Sequence, residues 1–212
     1  DRALSARTIL EKAKWKWNPE KEVMEFKGKK TTTELRFSIA TSNTPELKKT
    51  AELIKTMWEK AGARVEIKIF EPGDLNQNVI RPRKYDALLF GEIIGRDLDL
   101  FAFWHSSQRN DPGLNIALYT NIKTDKLLEE ARTLSDKKDR LARFEKFDEE
   151  IQKDMPAVFI YSPDFIYVLP QRVKAVRLGH VTVPGERFLN IHEWHIKTDK
   201  VWKLFAKEKI SN

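Results

Sequence analysis

Between Glu34 and Gly91 three short apolar runs alternate with helical stretches. Leu35-Arg36-Phe37-Ser38-Ile39 and Val65-Glu66-Ile67-Lys68-Ile69 alternate apolar and polar positions, the period-two pattern of half-buried strands. Tyr85-Asp86-Ala87-Leu88-Leu89-Phe90 is nearly continuous, which suits a strand covered on both faces. Between the first two runs, Leu47, Ala51, Ile54, Met57, Trp58 and Ala61 recur at helical spacing. Thr44 is placed to cap this helix, Pro45 fits its first position, Glu46 brings negative charge to its first turn, and Gly62 ends it. A short second helix is expected over about residues 74–80. The order βαβαβ predicts right-handed crossovers and a largely parallel sheet. Ligands of such sheets sit beyond the carboxyl ends of the strands, which makes the residues after Gly91 the first candidates for function.

The flanking segments read less regularly. Residues 1–33 carry no independent core. A helix is expected over Ser5–Ala13 with Ile9, Leu10 and Ala13 inward, and Trp15 and Trp17 read as packing anchors before a turn at Asn18-Pro19. Val23-Met24-Glu25-Phe26 and Leu35–Ile39 read as two strands joined through Gly28-Lys29-Lys30. After Gly91, Asp97 is placed to cap a short helix carrying Leu98, Phe101 and Trp104. A polar loop holds a turn at Asp111-Pro112-Gly113. One helix is expected to begin at Thr124, and a second to span 137–153 and stop before Pro156. Ala157–Tyr161 and Phe165–Leu169 read as buried strands, Val173–Leu178 as a third, and the tail 198–209 as an amphipathic helix.

Composition narrows the class. The 212 residues are 41% hydrophobic, 33% charged and 10% aromatic, ordinary for a globular protein. No run approaches the roughly 18 apolar residues of a membrane span. Without cysteine there is no disulfide and no thiolate metal site. The formal charge of +7 comes from Lys and Arg interleaved with Asp and Glu, not gathered on one stretch, which speaks against nucleic acid as partner. His192-Glu193-Trp194-His195 is one residue short of the zinc-protease spacing, and Asp97-Leu98-Asp99 lacks the rest of a cation loop. No Gly-x-Ser-x-Gly or phosphate loop is present. His105-Ser106-Ser107 has the residue types of a nucleophilic relay, but sequence neighbours rarely form one. The residues thus point to no enzyme and no cofactor.

The order of motifs resembles the C-terminal half of the bacterial extracellular solute-binding proteins of family 5, the peptide, oligopeptide and nickel receptors of ABC importers. Ala6–Trp15 resembles an early family segment, with Lys14 where Gly is usual. Leu35-Arg36-Phe37, the passage Glu59–Val65 and Tyr85-Asp86-Ala87 match family strands and turns. Arg96–Asp99, Asn115, Tyr119-Thr120-Asn121, Asp125–Ala131, Arg140, Phe144, Met155-Pro156 and Val158–Tyr161 follow in family order. The resemblance implies an α/β fold, a type II periplasmic-binding-protein-like lobe with additional helices and terminal strands. On this reading residues 1–33 cross from a first lobe, 34–170 form the ligand lobe, and 171–212 return to the first lobe. It implies a peptide or other small solute as ligand, a permease and the N-terminal lobe as partners, and an extracytoplasmic location with a lipid anchor. In peptide-binding members an acidic residue and a Trp follow the third strand; the matching positions here are Gly95 and Glu92. The ligand-binding set implied is Glu92, Ile93, Gly95, Arg96, Asp97, Trp104, His105 and Asn115, with Glu92 or Asp97 taking the role of the amine-binding acid. The alternative is a non-transport interaction or signalling module on the same fold.

Overall fold

Strand β4 (Arg36–Ser42) is the middle of a three-stranded parallel sheet, with β5 (Arg64–Phe70) on one side and β6 (Ala87–Leu89) on the other. Ile39 faces Ile67 across one ladder and Ala87 across the other. These features come from a computed structural model, which describes residues 2–95, 98–177, 179 and 181–196. The chain divides into two units, Asp1–Glu92 with Leu100–Pro156, and Ile93–Asp99 with Ala157–Asn212.

In the first unit both faces of the sheet are covered. Ile39, Val65 and Leu89 pack with Ala51 and Ala63 beneath helix α2 (Pro45–Ala61). On the other face Ala40 meets Leu75, Val79 and Ile80, which come from one helical turn, α3 (Pro72–Asp74), running on as a π-helix over Leu75–Ile80. Central position corrects one expectation. The β4 run is not half-buried, because Ser38 to Ser42 are all buried; its small Ser, Ala and Thr side chains let both covering layers close on the strand.

Helix α2 follows its sequence signals. Pro45 and Glu46 open it, although the Thr44 side chain makes no capping bond. It ends on Gly62 at φ 101, where Gly62 N–H donates to Glu59 O and Ala63 N–H to Trp58 O, both at 3.0 Å. A Cβ on Gly62 would stand 2.8 Å from Met24 Cγ and 2.9 Å from Trp17 Cζ3. Gly62→Ala is therefore expected to cost about 2 kcal/mol in urea unfolding from the left-handed backbone alone; a change within about 0.5 kcal/mol, the range of ordinary surface substitutions, would show the turn relaxing freely.

Helix α1 (Arg2–Lys12) has no buried residue. Ile9, expected inward, is 67% exposed, and Ala13 is exposed too. The helix docks instead through Arg7, whose guanidinium lies 3.7 Å from the Trp17 ring centre and donates to Lys60 O at 2.7 Å. Strands β1 (Trp15–Asn18), β2 (Val23–Lys27) and β3 (Thr32–Glu34) form an antiparallel sheet in that order. The expected partner of β2 was the Leu35 run, but the short β3 takes that place and leads into β4. Val23 and Met24 are fully buried, and Met24 exchanges backbone bonds with Gly62 and Leu35 at 2.8 Å.

Helix α4 (Phe101–Trp104) begins after Leu100, and Asp97, its expected cap, lies outside the described residues. Helices α5 (Ile122–Thr133) and α6 (Lys137–Asp154) complete the unit. Asn121, not Thr124, caps α5: its side chain accepts from Lys123 N–H at 2.9 Å, while the Thr124 hydroxyl donates back to Asn121 O at 2.8 Å. Asp136 caps α6 by accepting from the N–H groups of Lys138 and Asp139.

The second unit departs most from expectation. Neither Ala157–Tyr161 nor Phe165–Leu169 pairs into a sheet among the described residues, and Val158, Ile166 and Val168 are each about four-fifths exposed. Apolar runs carry strand propensity, but a strand forms only where another segment supplies its ladder. The third expected strand shrinks to β7 (Val173–Lys174), antiparallel to β8 (His195–Ile196). The unit is held by aromatic contacts: Tyr167 and Phe188 each lie about 6 Å from Trp194, and the Arg187 guanidinium covers Phe188 at 4.2 Å. The tail helix expected over 198–209 lies outside the described residues.

Candidate functional site

The carboxyl ends of the three parallel strands are tied together by their own polar residues. Thr41 Oγ1 donates to Leu89 O at 3.0 Å, linking β4 to β6. Asn43 N–H donates to Phe70 O at 2.7 Å, and Asn43 Nδ2 to Glu71 Oε1 at 2.6 Å, linking β4 to β5. Lys48 Nζ, one turn into α2, donates to Asn43 Oδ1 at 3.2 Å. Asn43 and Glu71 are thus rim residues that the sequence reading passed over; the available signal was a polar residue directly after each of two parallel strands. At the other end of β6, Asp86 accepts from Ser38 N–H at 2.9 Å and from its hydroxyl at 2.7 Å. These bonds hold the Asp86 carboxyl below the usual range and fix where β6 begins.

Beyond β6 the chain emerges as Phe90, Gly91 and Glu92, all exposed. Nothing lies within 4 Å of where a Gly91 side chain would stand. Although Glu92 is exposed by area, the protein around its carboxylate withholds enough water to push its pKa up to about 7. The folded protein therefore binds this proton more tightly than the unfolded chain. Stability from this group is full below about pH 4.5 and is lost as pH rises towards about 7. Unfolding measured across that window is expected to show a falling contribution that Glu92→Gln removes; an unchanged slope in the variant would place the titration elsewhere.

A shallow hollow lined by Arg36, Lys55, Glu59, Arg64, Val65 and Glu66 opens at the amino end of β4 and β5, away from this rim. Its charges are largely engaged, Lys55 with Glu59 at 3.6 Å and Arg64 with Glu34 at 3.5 Å. Parallel-sheet geometry favours the carboxyl rim as the functional edge.

The residues implied by family resemblance fall in different places. Glu92 is at the rim. Ile93 and Gly95 are exposed in the second unit, and Arg96 and Asp97 lie outside the described residues. Trp104, His105 and Asn115 are all buried in the first unit. Trp104 packs edge-on against Tyr119 and Phe147. His105 stacks on Phe101 at 4.0 Å, with Nδ1 2.8 Å from Ser107 Oγ and Nε2 3.3 Å from Glu129 Oε1. Asn115 Nδ2 donates to the carbonyls of Trp104, His105 and Tyr119 at 3.2, 3.1 and 3.0 Å, and its Oδ1 accepts from Tyr119 N–H at 3.1 Å. Its amide is thereby spent on the loop. Neighbouring groups are equally committed. Asp125 accepts from Ser106 N–H and hydroxyl, and Tyr119 donates to Asp154 at 2.6 Å, with burial pushing the phenol up to about 12.

A covered parallel βαβαβ sheet with a polar rim beyond the strand ends fits the periplasmic-binding-protein-like lobe that the resemblance implies, and solved structures share that fold. The chain is 27% identical over 191 residues to the oligopeptide-binding protein AppA of Bacillus subtilis (strain 168), an alignment covering 89% of this chain and 34% of that protein. The structure of AppA in complex with a nonapeptide matches with a TM-score of 0.72 at 24% identity, over 91% of this chain and 37% of that one. NikZ from Campylobacter jejuni in complex with Ni(L-His) matches with a TM-score of 0.67 at 23% identity, over 91% and 38%. An ABC transporter substrate-binding protein from Sinorhizobium meliloti matches with a TM-score of 0.54 at 20% identity, over 72% and 29%. No family model matches the chain. The chain is a homologue of an oligopeptide-binding protein and has the fold of the solute-binding proteins that its motifs resemble. It spans about a third of the length of these relatives.

Proposed function

We propose that this chain is part of the solute-recognition component of an ABC importer, working outside the cytoplasm on a peptide or similar small solute. The observation that supports this most is the reach of the similarity to an oligopeptide-binding protein, which takes in 89% of the chain. The solute binds at the carboxyl rim of the parallel sheet. Glu92 faces a cationic group of the solute through a charge-assisted bond, and the backbone after β6 supplies further polar contacts. Ile93, Gly95, Arg96 and Asp97, which match family positions, are the further residues assigned to solute contact in this reading. Trp104, His105 and Asn115 act behind it, holding the loop between α4 and α5 in one conformation. Binding needs no bond making or breaking. The partners of this reading are the importer permease and a further lobe that completes the cleft, with a lipid anchor keeping the receptor at the cell surface.

The test is calorimetric titration of the full-length gene product with short peptides, alongside nickel–histidine as a comparison solute. Peptide binding at micromolar affinity or tighter supports the reading. Binding of neither, with the protein folded, overturns it in favour of a module that engages other proteins.

A further inference from the structure

The loop that carries His105 contains an arrangement that solute binding does not use. Ser107 is exposed, and its Oγ lies 2.8 Å from Nδ1 of the buried His105. That nitrogen also accepts from Ser107 N–H at 3.1 Å, capping the 3-10 turn at Ser106–Gln108, so its one lone pair is shared between the Ser107 N–H and hydroxyl and the ring proton is placed on Nε2. Nε2 points at Glu129 Oε1, 3.3 Å away, with Asp125 Oδ1 at 3.9 Å. The ring is clamped by stacking on Phe101, which in turn lies under the Arg132 guanidinium at 4.3 Å. Gln108 Nε2 donates to Ser107 Oγ at 3.1 Å. A hydroxyl bonded to an imidazole whose far nitrogen is oriented by a carboxylate is the arrangement that activates serine nucleophiles.

We propose that Ser107 is a nucleophilic serine, activated by His105, that reacts with small activated esters and phosphonyl fluorides. The site is an open surface, so only small acyl or phosphonyl groups are accommodated. Ser107 Oγ attacks the ester carbonyl carbon as its proton passes to His105 Nδ1. The oxyanion that forms takes a hydrogen bond from the Gln108 amide. Collapse breaks the ester bond, and the departing alkoxide takes the proton back from His105. Water then attacks the acyl-serine with His105 again as base, releasing the carboxylic acid and restoring Ser107. With a phosphonyl fluoride the P–F bond breaks, fluoride and the proton leave to solvent, and the serine stays phosphonylated. Glu129 touches no reacting atom and is a positioning residue. This reactivity goes beyond solute recognition and does not depend on it.

The experiment is labelling of the full-length protein with a fluorophosphonate probe, read by mass spectrometry of the modified peptide. The rate at Ser107 is expected to exceed that of the urea-unfolded protein by about a hundredfold, the usual scale of positioned general-base catalysis. Ser107→Ala abolishes labelling while leaving peptide binding unchanged, which separates this proposal from the solute reading. Glu129→Gln, on an exposed helix face, is expected to slow labelling about tenfold, and Glu129→Asp, which keeps the carboxylate, to recover most of the rate. A merely structural Glu129 would give the same labelling rate in both variants. Labelling of folded and unfolded protein at equal rates, labelling at Ser106 instead, or an unchanged rate in Glu129→Gln would each overturn the proposal.

Discussion

Asn115→Ala is expected to lower stability by about 4 kcal/mol, read as a fall in the urea midpoint at unchanged slope. The residue is fully buried. One side chain gathers the carbonyls of Trp104, His105 and Tyr119 and answers the N–H of Tyr119. Removing it orphans the N–H and the carbonyl of Tyr119, and each such buried group costs about 1–3 kcal/mol. His105 O keeps a partner in Gln108 N–H, which holds the total below a simple sum. Asn115→Asp keeps the shape and the acceptor but sets a carboxylate against three carbonyl oxygens. It is expected to destabilise at least as much as Asn115→Ala. A loss under about 1 kcal/mol in both variants would mean that the loop finds other partners.

The second large effect concerns binding. Glu92→Gln in the full-length protein is expected to weaken peptide affinity by about 10- to 100-fold, the range of a hydrogen bond to a charged group. The wild-type affinity should also depend on pH. Glu92 has its pKa pushed up to about 7, and an ammonium partner favours its ionised form, so binding releases a proton. Affinity is expected to rise from pH 5.5 to pH 7.5 by about tenfold, and then to level off as the peptide amine itself loses charge near pH 8. In Glu92→Gln the pH dependence between those values should disappear. An affinity that is flat with pH in the wild-type protein would place the amine contact on another residue.

How far these features were legible in the sequence depends on how local their causes are. The β4–α2–β5 unit is written in period-two and helical spacings with Pro45 at one end of the helix and Gly62 at the other, all short-range signals. The start of α5, expected at Thr124, lies two residues earlier at Ile122 because Asn121 and Thr124 both have capping chemistry; only the structure shows Asn121 accepting and Thr124 donating. The runs at 157–161 and 165–169 carry strand propensity, but the missing ladder is a long-range fact that no local pattern contains.

The candidate site divides the same way. Gly91 and Glu92 follow from the third strand, whose end any reading of the sheet locates. Asn43 and Glu71 stayed hidden because their bond spans two strand ends that are distant in sequence. Asn115 matched a family position, yet its amide serves three backbone carbonyls, a role visible only once the loop is folded. The Ser107–His105 contact is a feature that sequence adjacency alone does not predict. A tight turn from α4 into a 3-10 helix at Ser106–Gln108 brings the hydroxyl back over the ring.

In the proposed function the carboxyl rim at Glu92 holds the amine of a peptide-like solute. The most direct measurement compares one short peptide with its N-acetylated form, titrated into the full-length wild-type protein and into Glu92→Gln. Acetylation is expected to cost the wild-type protein about tenfold or more in affinity and to cost the variant almost nothing, since both changes remove the same charge-assisted bond. Equal binding of the two peptides by the wild-type protein, or the same acetylation penalty in both proteins, would contradict it.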